Sequence, residues 1–346
     1  MHLPENLENK RTYQSDREAI QDILKILDAP ENQNFLICGH LRPDGDCLGS
    51  IMALYHLLQG KGKDARIFFK NINAENLLQM LPDQAAPDPE FPADYPADVT
   101  LCLDVAESDR ITDNFEETAR GLIVNIDHHI SNSEYAALNW VKPHASATGE
   151  MIVQLIDAEP SSWTPEIANA LYIAIATDTG SFRYGNTTSE CLYAAAHLVD
   201  MGADVAACAN LAWGNRNPEE IQLAATVLSN MHFEMEGKFA WSEITQETFL
   251  AHGGEANDPE SLSGDMRSIR GVEVAALIRE SPEGHARASL RSSGRVNVSE
   301  IAASLGGGGH RAAAGLTVDG PYVQGREKIL KALRQGILEQ MQNLME

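Results

Sequence analysis

Residues 34–50 read NFLICGHLRPDGDCLGS, and this stretch poses a choice between a simple turn and a ligand site. NFLIC predicts a buried strand, and CLGSIMALYHLLQG, residues 47–60, predicts a helix. Between the strand and the helix lie His40, Asp44 and Asp46, with a proline and a glycine that bend the chain. A Pro-Asp-Gly sequence is often only a tight turn. Taken alone, the stretch fits that turn about as well as it fits a metal site.

The pattern of strands and helices around this stretch indicates the fold class. Apolar strands alternate with helices through about the first two thirds of the chain, which predicts an α/β fold with a doubly wound, mainly parallel sheet. After residue 231 the pattern changes to paired strands, a glycine run and a closing helix, typical of a smaller α+β domain. We therefore predict a first domain over residues 1–217, a linker helix over 218–232 and a second domain over 233–346.

Composition narrows the class of protein. The chain has 346 residues, enough for two domains, and its 50 acidic against 26 basic residues give a net charge of -24. That charge argues against a protein that coats long nucleic acid, but it allows a small anionic substrate in a local pocket. The sequence has no apolar run long enough for a membrane span and no secretory signal at its polar start, so we expect a cytoplasmic protein. The five cysteines show no pairing pattern and are expected to be reduced thiols.

Carboxylates and histidines recur where apolar segments end. Asp104 ends VTLCLD, the triplet Asp127, His128 and His129 ends LIVNI, and Asp178 follows LYIAIAT. Each motif alone has an ordinary alternative, such as a helix N-cap, a turn or a hydrogen-bonded loop. Ligands of open parallel sheets bind at the carboxyl ends of the strands, so we expect all four motifs to reach one edge of the sheet.

The donor types at this edge favour a particular metal chemistry. Carboxylate oxygens with two imidazoles suit Mn²⁺ or Mg²⁺ better than structural zinc. The candidate donors exceed what one tetrahedral ion needs, whereas two ions about 3.5–4 Å apart that share a bridging carboxylate would use them all. Such a pair activates water for phosphoester hydrolysis. The candidate metal ligands are His40, Asp44, Asp46, Asp104, His128 and Asp178.

The second domain carries a candidate anion site. In SLGGGGHRAAAG, residues 304–315, the glycines free backbone N–H groups to face an anion, and we expect HRAAAG to begin a short helix whose N-terminus attracts phosphate. Arginine is the natural bidentate partner of phosphate. The alternative for the glycine run is a flexible loop, and the alternative for Arg291 is a solvated charge at the end of a strand. The candidate residues are Arg291, Gly306, Gly307, Gly308, Gly309 and His310.

In this order, GHLRPDGDCLGS, LCLDVAESDR, NIDHH, ATDTGSFRY and LGGGGHRAAAG closely resemble the motifs of the DHH phosphoesterase superfamily, over about residues 35–316. The layout is most similar to the bifunctional oligoribonuclease/PAP phosphatases of the NrnA type. The resemblance implies a two-Mn²⁺ site in the first domain, with Mg²⁺ or Co²⁺ as alternative ions, and a DHH-associated second domain that binds substrate.

The resemblance also implies roles for individual residues. His40, Asp44 and Asp104 would bind one metal, and Asp46, Asp104, His128 and Asp178 the other, so that Asp104 bridges the two. Asp127 would support the site by hydrogen bonds, and His129 would face the scissile phosphate. Arg291, the glycine run and His310 would hold the substrate's phosphates. Cys47 stands where many relatives have a small apolar residue such as alanine.

The resemblance implies a metal-dependent phosphodiesterase or phosphatase. It would hydrolyse short RNA oligonucleotides to mononucleotides, or 3'-phosphoadenosine 5'-phosphate (PAP) to AMP. A cyclic-dinucleotide phosphodiesterase acting on c-di-AMP or pApA is the alternative enzyme, and a nucleotide-sensing binding module is the non-enzymatic one. The intact donor set favours an enzyme. We expect short single-stranded RNA or nucleotide phosphates as partners, no long nucleic acid and no membrane, and a homodimer stays open.

Overall fold

Two sheets organise the chain, one in each of two compact units, Met1–Asn215 and Arg216–Glu346. The computed structural model describes residues 10–71, 77–82, 86–214, 217–254, 259 and 262–343. The first unit has a six-stranded sheet with helices around it, and the second has a smaller mixed sheet with helices. This confirms the predicted α/β domain followed by an α+β domain.

The sheet of the first unit is parallel throughout, in the order β1-β6-β5-β4-β2-β3. Its central strands are almost continuously apolar because helices cover both faces of a parallel sheet. The order of strands along the chain reverses between β2 and β4, so the switch point lies between these neighbours. The strands are β1 (Arg11–Thr12), β2 (Asn34–Cys38), β3 (Asp64–Phe68), β4 (Val99–Leu103), β5 (Leu122–Asp127) and β6 (Leu138–Val141).

Helices α2 and α5 of this unit pack unusually close together. A Cβ atom added at Gly49 would lie 2.3 Å from the carbonyl oxygen of Ala170, and one added at Gly45 would lie 2.4 Å from Oγ1 of Thr177. Only glycine allows backbones to approach this closely. The helices are α1 (Asp16–Asp28), α2 (Gly45–Gly60), α3 (Phe115–Thr118), α4 (Thr148–Asp157), α5 (Pro165–Asp178), α6 (Ser189–Asp200) and α7 (Val205–Trp213), with 3-10 turns at Leu77–Met80, Ser108–Arg110 and Pro160–Ser162.

The sheet of the second unit runs in the order β11-β12-β10-β9-β8-β7, and only β8 and β9 pair in parallel. Helix α8 lies in the segment predicted as a linker, but its apolar face packs on this sheet through Leu223 and Val227. The elements are α8 (Pro218–Ser229), β7 (His232–Glu234), β8 (Phe239–Ile244), α9 (Gln246–Ala251), α10 (Leu262–Arg267), β9 (Val274–Glu280), β10 (Ala286–Ser292), α11 (Val298–Ala303), β11 (Gly308–His310), β12 (Ala313–Val318) and α12 (Tyr322–Asn343), with a 3-10 turn at Met235–Gly237.

The prediction of a short helix for HRAAAG is wrong, because this segment forms the hairpin of β11 and β12. Ala314, Leu316 and Val318 are buried and alternate with more exposed residues, which is the period of a strand. A Cβ atom added at Gly309 would lie 2.5 Å from the carbonyl oxygen of Ala313, so the hairpin closes tightly over glycine. The glycine run therefore belongs to a sheet edge and does not precede a helix.

Two further observations concern membranes and thiols. Among the described residues, no single helix has the length and apolar character to cross a bilayer, and only α6 and α7 together, bent by 116°, meet those criteria. All five cysteines are buried free thiols, as expected.

Candidate metal centre

The candidate ligands come from both sides of the switch point. His40 follows β2, and Asp104 follows β4 directly. His128 follows β5, whereas Asp44 and Asp46 stand at the N-cap and in the first turn of α2. Asp178, which follows the apolar run LYIAIAT, is the last residue of helix α5. Three strand ends and two helix ends thus converge at one edge of the sheet.

The imidazoles of His40 and His128 each lie among several of the candidate carboxylates. Nε2 of His128 lies 3.8 Å from a carboxylate oxygen of Asp46, 3.7 Å from one of Asp104 and 3.8 Å from one of Asp178. Nε2 of His40 lies 3.6 Å from the other oxygen of Asp104 and 3.9 Å from one of Asp44. These separations are too long for hydrogen bonds. Donor atoms about 2.1 Å from one octahedral ion would lie roughly 3.0 Å apart in cis and about 4.2 Å apart in trans, so the observed separations leave room for cations between the donors.

The proton positions on the two histidines fit metal binding. Nδ1 of His40 lies 2.9 Å from the carbonyl oxygen of Leu41, and Nδ1 of His128 lies 3.2 Å from that of Ala145. A carbonyl oxygen can only accept, so Nδ1 carries the proton on both rings. Nε2 is then the nitrogen of each ring that faces the carboxylates and can bind a cation, which is the arrangement that metal-binding histidines use. The residues therefore fit a divalent-cation site.

Uncompensated negative charge also fits such a site. Burial and the repulsion of neighbouring carboxylates, chiefly Asp104, raise the pKa of Asp46 well above its usual range. Burial likewise raises the pKa of Asp178 to about 7, with His128 opposing the shift. Cations between these groups would offset the cost of burying them as anions.

Backbone and side-chain donors hold the carboxylates in place. Asp46 accepts hydrogen bonds from the N–H groups of Thr148 at 2.7 Å and Gly149 at 2.9 Å, at the start of α4. Oγ1 of Thr148 donates to Asp104 at 3.2 Å. Asp104 itself has φ of 60°, a left-handed conformation that is uncommon outside glycine and clusters at functional sites.

Asn186 is a supporting residue that the sequence reasoning missed. Its amide donates to the backbone oxygen of Ser146 at 3.0 Å and to both the backbone and a carboxylate oxygen of Asp178, at 3.1 and 3.2 Å. The residue follows a turn in RYGNTT, a polar loop sequence with no periodic signal. Only its position behind helix α5 reveals the role.

Asp127 and His129 form a hydrogen-bonded pair beside the ligands. Nδ1 of His129 donates to Asp127 at 2.7 Å, and the amide of Asn132 donates to the other oxygen of Asp127 at 2.6 Å. Although burial disfavours the charged ring, the Asp127 carboxylate raises the pKa of His129 to about 9. The pair thus holds an imidazolium within 3.6 Å of Asp104.

The predicted substrate residues lie together in the second unit. Arg291 on β10 and His310 on β11 both pair with Ala313 on the strand between them. Directly paired residues share a face of a sheet, so the two side chains leave the same face, with backbones about 10 Å apart. Ser289, Gly315 and Gly308 form the next row on that face, and Gly306 and Gly309 have φ of 81° and 138°. Ala313 separates Arg291 from His310, and the neighbouring row has only a serine and two glycines, so the side chains on this face between and beside the two residues are small.

Comparison with known proteins defines the class to which this fold and site belong. Residues 34–175 match the family model for the N-terminal domain of the DHH family, and residues 239–339 match that for the DHHA1 domain. The chain belongs to the DHH phosphoesterase family.

Its resemblance to particular members covers nearly the whole chain. It is 32% identical to the bifunctional oligoribonuclease and PAP phosphatase NrnA of Thermus thermophilus, over 93% of this chain and 95% of that protein. It is 27% identical to the cyclic-di-AMP phosphodiesterase GdpP of Geobacillus thermodenitrificans, over 81% of this chain and 44% of that longer protein. A crystal structure of an exopolyphosphatase-related protein from Bacteroides fragilis superimposes with a TM-score of 0.85 at 26% identity, covering 95% of this chain and 98% of that one.

Proposed function

We propose that this protein is a Mn²⁺-dependent phosphoesterase that hydrolyses short RNA oligonucleotides to mononucleotides and PAP to AMP. The convergence of two Nε2 lone pairs and four carboxylates at the switch point is the observation that carries the proposal. The likeness to NrnA supports the choice of substrates. The free buried thiols fit a reducing compartment, and we propose that the protein acts in the cytoplasm.

The placement of Asp104 supports the proposal of two metal positions. One of its oxygens faces His40, and the other faces His128. We assign His40, Asp44 and Asp104 to one cation, and Asp46, Asp104, His128 and Asp178 to the other. When bound, such a pair of cations activates water and offsets the charge that develops on a phosphoester.

The chain's own residues position the substrate and supply a proton donor. Asp127 holds the ring of His129 through Nδ1, so that Nε2 of that ring is directed away from Asp127. A protonated His129 can donate a hydrogen bond to a phosphate oxygen. In the hydrolysis of PAP, water adds to the 3'-phosphorus, the bond from phosphorus to the 3'-oxygen breaks, and that oxygen takes up a proton.

We assign substrate binding to the row of Arg291 and His310 in the second unit. The guanidinium of Arg291, beside glycine and alanine residues, can bind a phosphate through two hydrogen bonds while a nucleoside lies over these small residues. The glycine run contributes backbone N–H groups near the edge of the same sheet. The net charge of -24 favours substrates with few phosphates over long chains.

The test is a product assay on the purified protein with Mn²⁺. We expect mononucleotides from labelled di- to pentanucleotides and AMP from PAP, with little product from longer RNA. Efficient cleavage of c-di-AMP instead would support the second candidate, which the likeness to GdpP favours. Nucleotide binding without any product would indicate a sensing module and contradict the proposal.

A further inference from the structure

Cys47 brings a third kind of donor to the metal centre. Its side chain is completely buried in the first turn of α2. Its Sγ, a ring nitrogen of His40 and a carboxylate oxygen of Asp104 all lie within 4.8 Å of one another. His40 and Asp104 belong to the proposed first metal position, so the sulfur lies beside that position.

The sulfur is held there by the surrounding backbone. A Cβ atom added at Gly39, at the end of β2, would lie 2.6 Å from Sγ of Cys47, so the strand end packs directly against the sulfur. The N–H of Cys47 donates to Asp44 at 3.1 Å, which ties the backbone of the cysteine to another proposed ligand. The contact of Sγ with the carbonyl oxygen of Leu103 is long, at 3.8 Å, and the thiol also has a side-chain hydrogen bond with His40.

A thiol among oxygen and nitrogen donors changes which cations a site prefers. Carboxylates and water suit Mg²⁺ and Mn²⁺, whereas thiolates select softer ions such as Zn²⁺, Co²⁺ and Cd²⁺. Asp44 lies on the same position and is exposed, so a cation can enter from its side. The remaining proposed ligands, around His128, contain no sulfur.

We propose that Cys47 is a sulfur ligand of the first metal position and gives that position a preference for softer divalent ions. The inference rests on the proposed two-metal centre and adds to it a difference between the two positions. On binding, the S–H bond is replaced by a metal–sulfur bond, and the proton is released to solvent. One position is then selective for soft ions, and the other retains the hard donors of Asp46 and Asp178.

The test is a spectroscopic titration of the metal-free protein with Co²⁺ and with Cd²⁺. A metal–thiolate bond gives a charge-transfer band in the ultraviolet that oxygen and nitrogen ligands do not give. We expect the band in the parent protein and in Cys208→Ala, which removes a buried thiol of α7 outside the candidate ligand groups. We expect no band in Cys47→Ser, although this variant should still bind Co²⁺ through its histidines and carboxylates.

Affinity provides the second measurement. Calorimetric titration should show that Cys47→Ala weakens the binding of Cd²⁺ roughly tenfold or more while Mn²⁺ binding changes by less than about threefold. Circular dichroism establishes that both variants are folded. A parent protein that binds Co²⁺ without the band, or a band that persists in Cys47→Ser, would overturn the sulfur ligand and leave the metal centre intact. Absence of any Co²⁺ or Mn²⁺ binding by the folded parent would instead remove the proposed function itself.

Discussion

The side-chain amide of Asn186 donates two hydrogen bonds to Asp178, one of 3.1 Å to its backbone oxygen and one of 3.2 Å to its carboxylate. The same amide reaches Ser146 of the segment before α4, so a single side chain joins a proposed ligand to two neighbouring segments. Groups that orient a metal ligand in this way commonly matter nearly as much as the ligand. Asn186 is therefore a positioning residue.

Replacement of Asn186 should weaken metal binding without unfolding the protein. We expect Asn186→Ala to lower the affinity for Mn²⁺ about tenfold, as measured by calorimetry. Asn186→Asp should be worse than alanine, because it replaces the donor with an acceptor facing Asp178. Asn114→Ala, at an exposed position of the same unit, is the control. Equal affinities for the aspartate variant and the parent would contradict the positioning role.

Asp104 should be indispensable for turnover. We expect Asp104→Asn to lower kcat/KM by roughly 10³-fold, which corresponds to about 4 kcal/mol of transition-state stabilisation. Asparagine is the appropriate replacement because it also tolerates the left-handed backbone at this position. Substantial activity in a variant that remains folded by thermal denaturation would argue against a bridging carboxylate.

The Asp127–His129 pair predicts a pH dependence. If the protonated ring donates to the substrate, kcat/KM should fall as the pH rises through the pKa of His129, which Asp127 raises to about 9. Asp127→Asn removes that carboxylate, so the pKa falls and the alkaline limb should move to lower pH by at least about one unit. His129→Gln should lack this limb. An identical pH profile in the parent and Asp127→Asn would count against the pair.

The buried carboxylates predict how pH affects the metal-free protein. The pKa of Asp178 is about 7 in the folded state against 3.8 for a free side chain, so the folded state binds more protons between these values. The free energy of unfolding should therefore fall as the pH rises from about 4 to about 7. At pH 8 with chelator, Asp178→Asn should be more stable than the parent by on the order of 2 kcal/mol, and below about pH 4 this difference should vanish.

Urea denaturation at the two pH values measures this difference. Asp109→Asn, which removes an exposed carboxylate of the same unit, should show no such pH-dependent gain. Saturating Mn²⁺ should reverse the order of stability, since the parent then has its cation and the variant lacks a ligand. A parent that is more stable than Asp178→Asn even without metal would contradict the repulsion among these carboxylates.

Arg291 should affect substrate binding more than the chemical step. We expect Arg291→Ala to raise KM roughly tenfold or more, and Arg291→Lys to recover only part of this loss because lysine lacks the bidentate geometry. Arg287→Ala is the matched control, four residues earlier on the same strand and face. A fall in kcat with unchanged KM would place Arg291 elsewhere in the mechanism.

The fold class and the meeting of the ligands were predictable because β2, β4 and β5 are apolar segments with polar residues at their ends. Asp178 shows the limit of this reasoning, because it reaches the same edge from the end of a helix. LYIAIAT has no polar face, since α5 is largely buried against neighbouring helices, so no local pattern gives the direction in which this helix runs. The structure shows that the end of α5 points to the same edge as the strands.

Short strands could not be predicted from the sequence for a different reason. β1 has two residues and β6 has four. The two strands pair at the edge of the sheet, where Arg11 lies opposite Leu138, a residue far away in the sequence. No local pattern encodes such a pairing. In HRAAAG, high helix propensity of alanine favoured a helix, but tertiary pairing with β10 decided for a strand.

The glycine contacts between α2 and α5 have a consequence for how the metal centre can change. Asp46 follows Gly45 directly, and Asp178 follows Thr177, the residue that Gly45 touches. The distance between these two carboxylates is consequently fixed by the contact between the backbone of Gly45 and the side chain of Thr177. This contact leaves no space for even a methyl group. We therefore expect this helix contact to limit the size of ion that the proposed centre accepts, so that changes in its metal preference arise from side chains such as that at position 47.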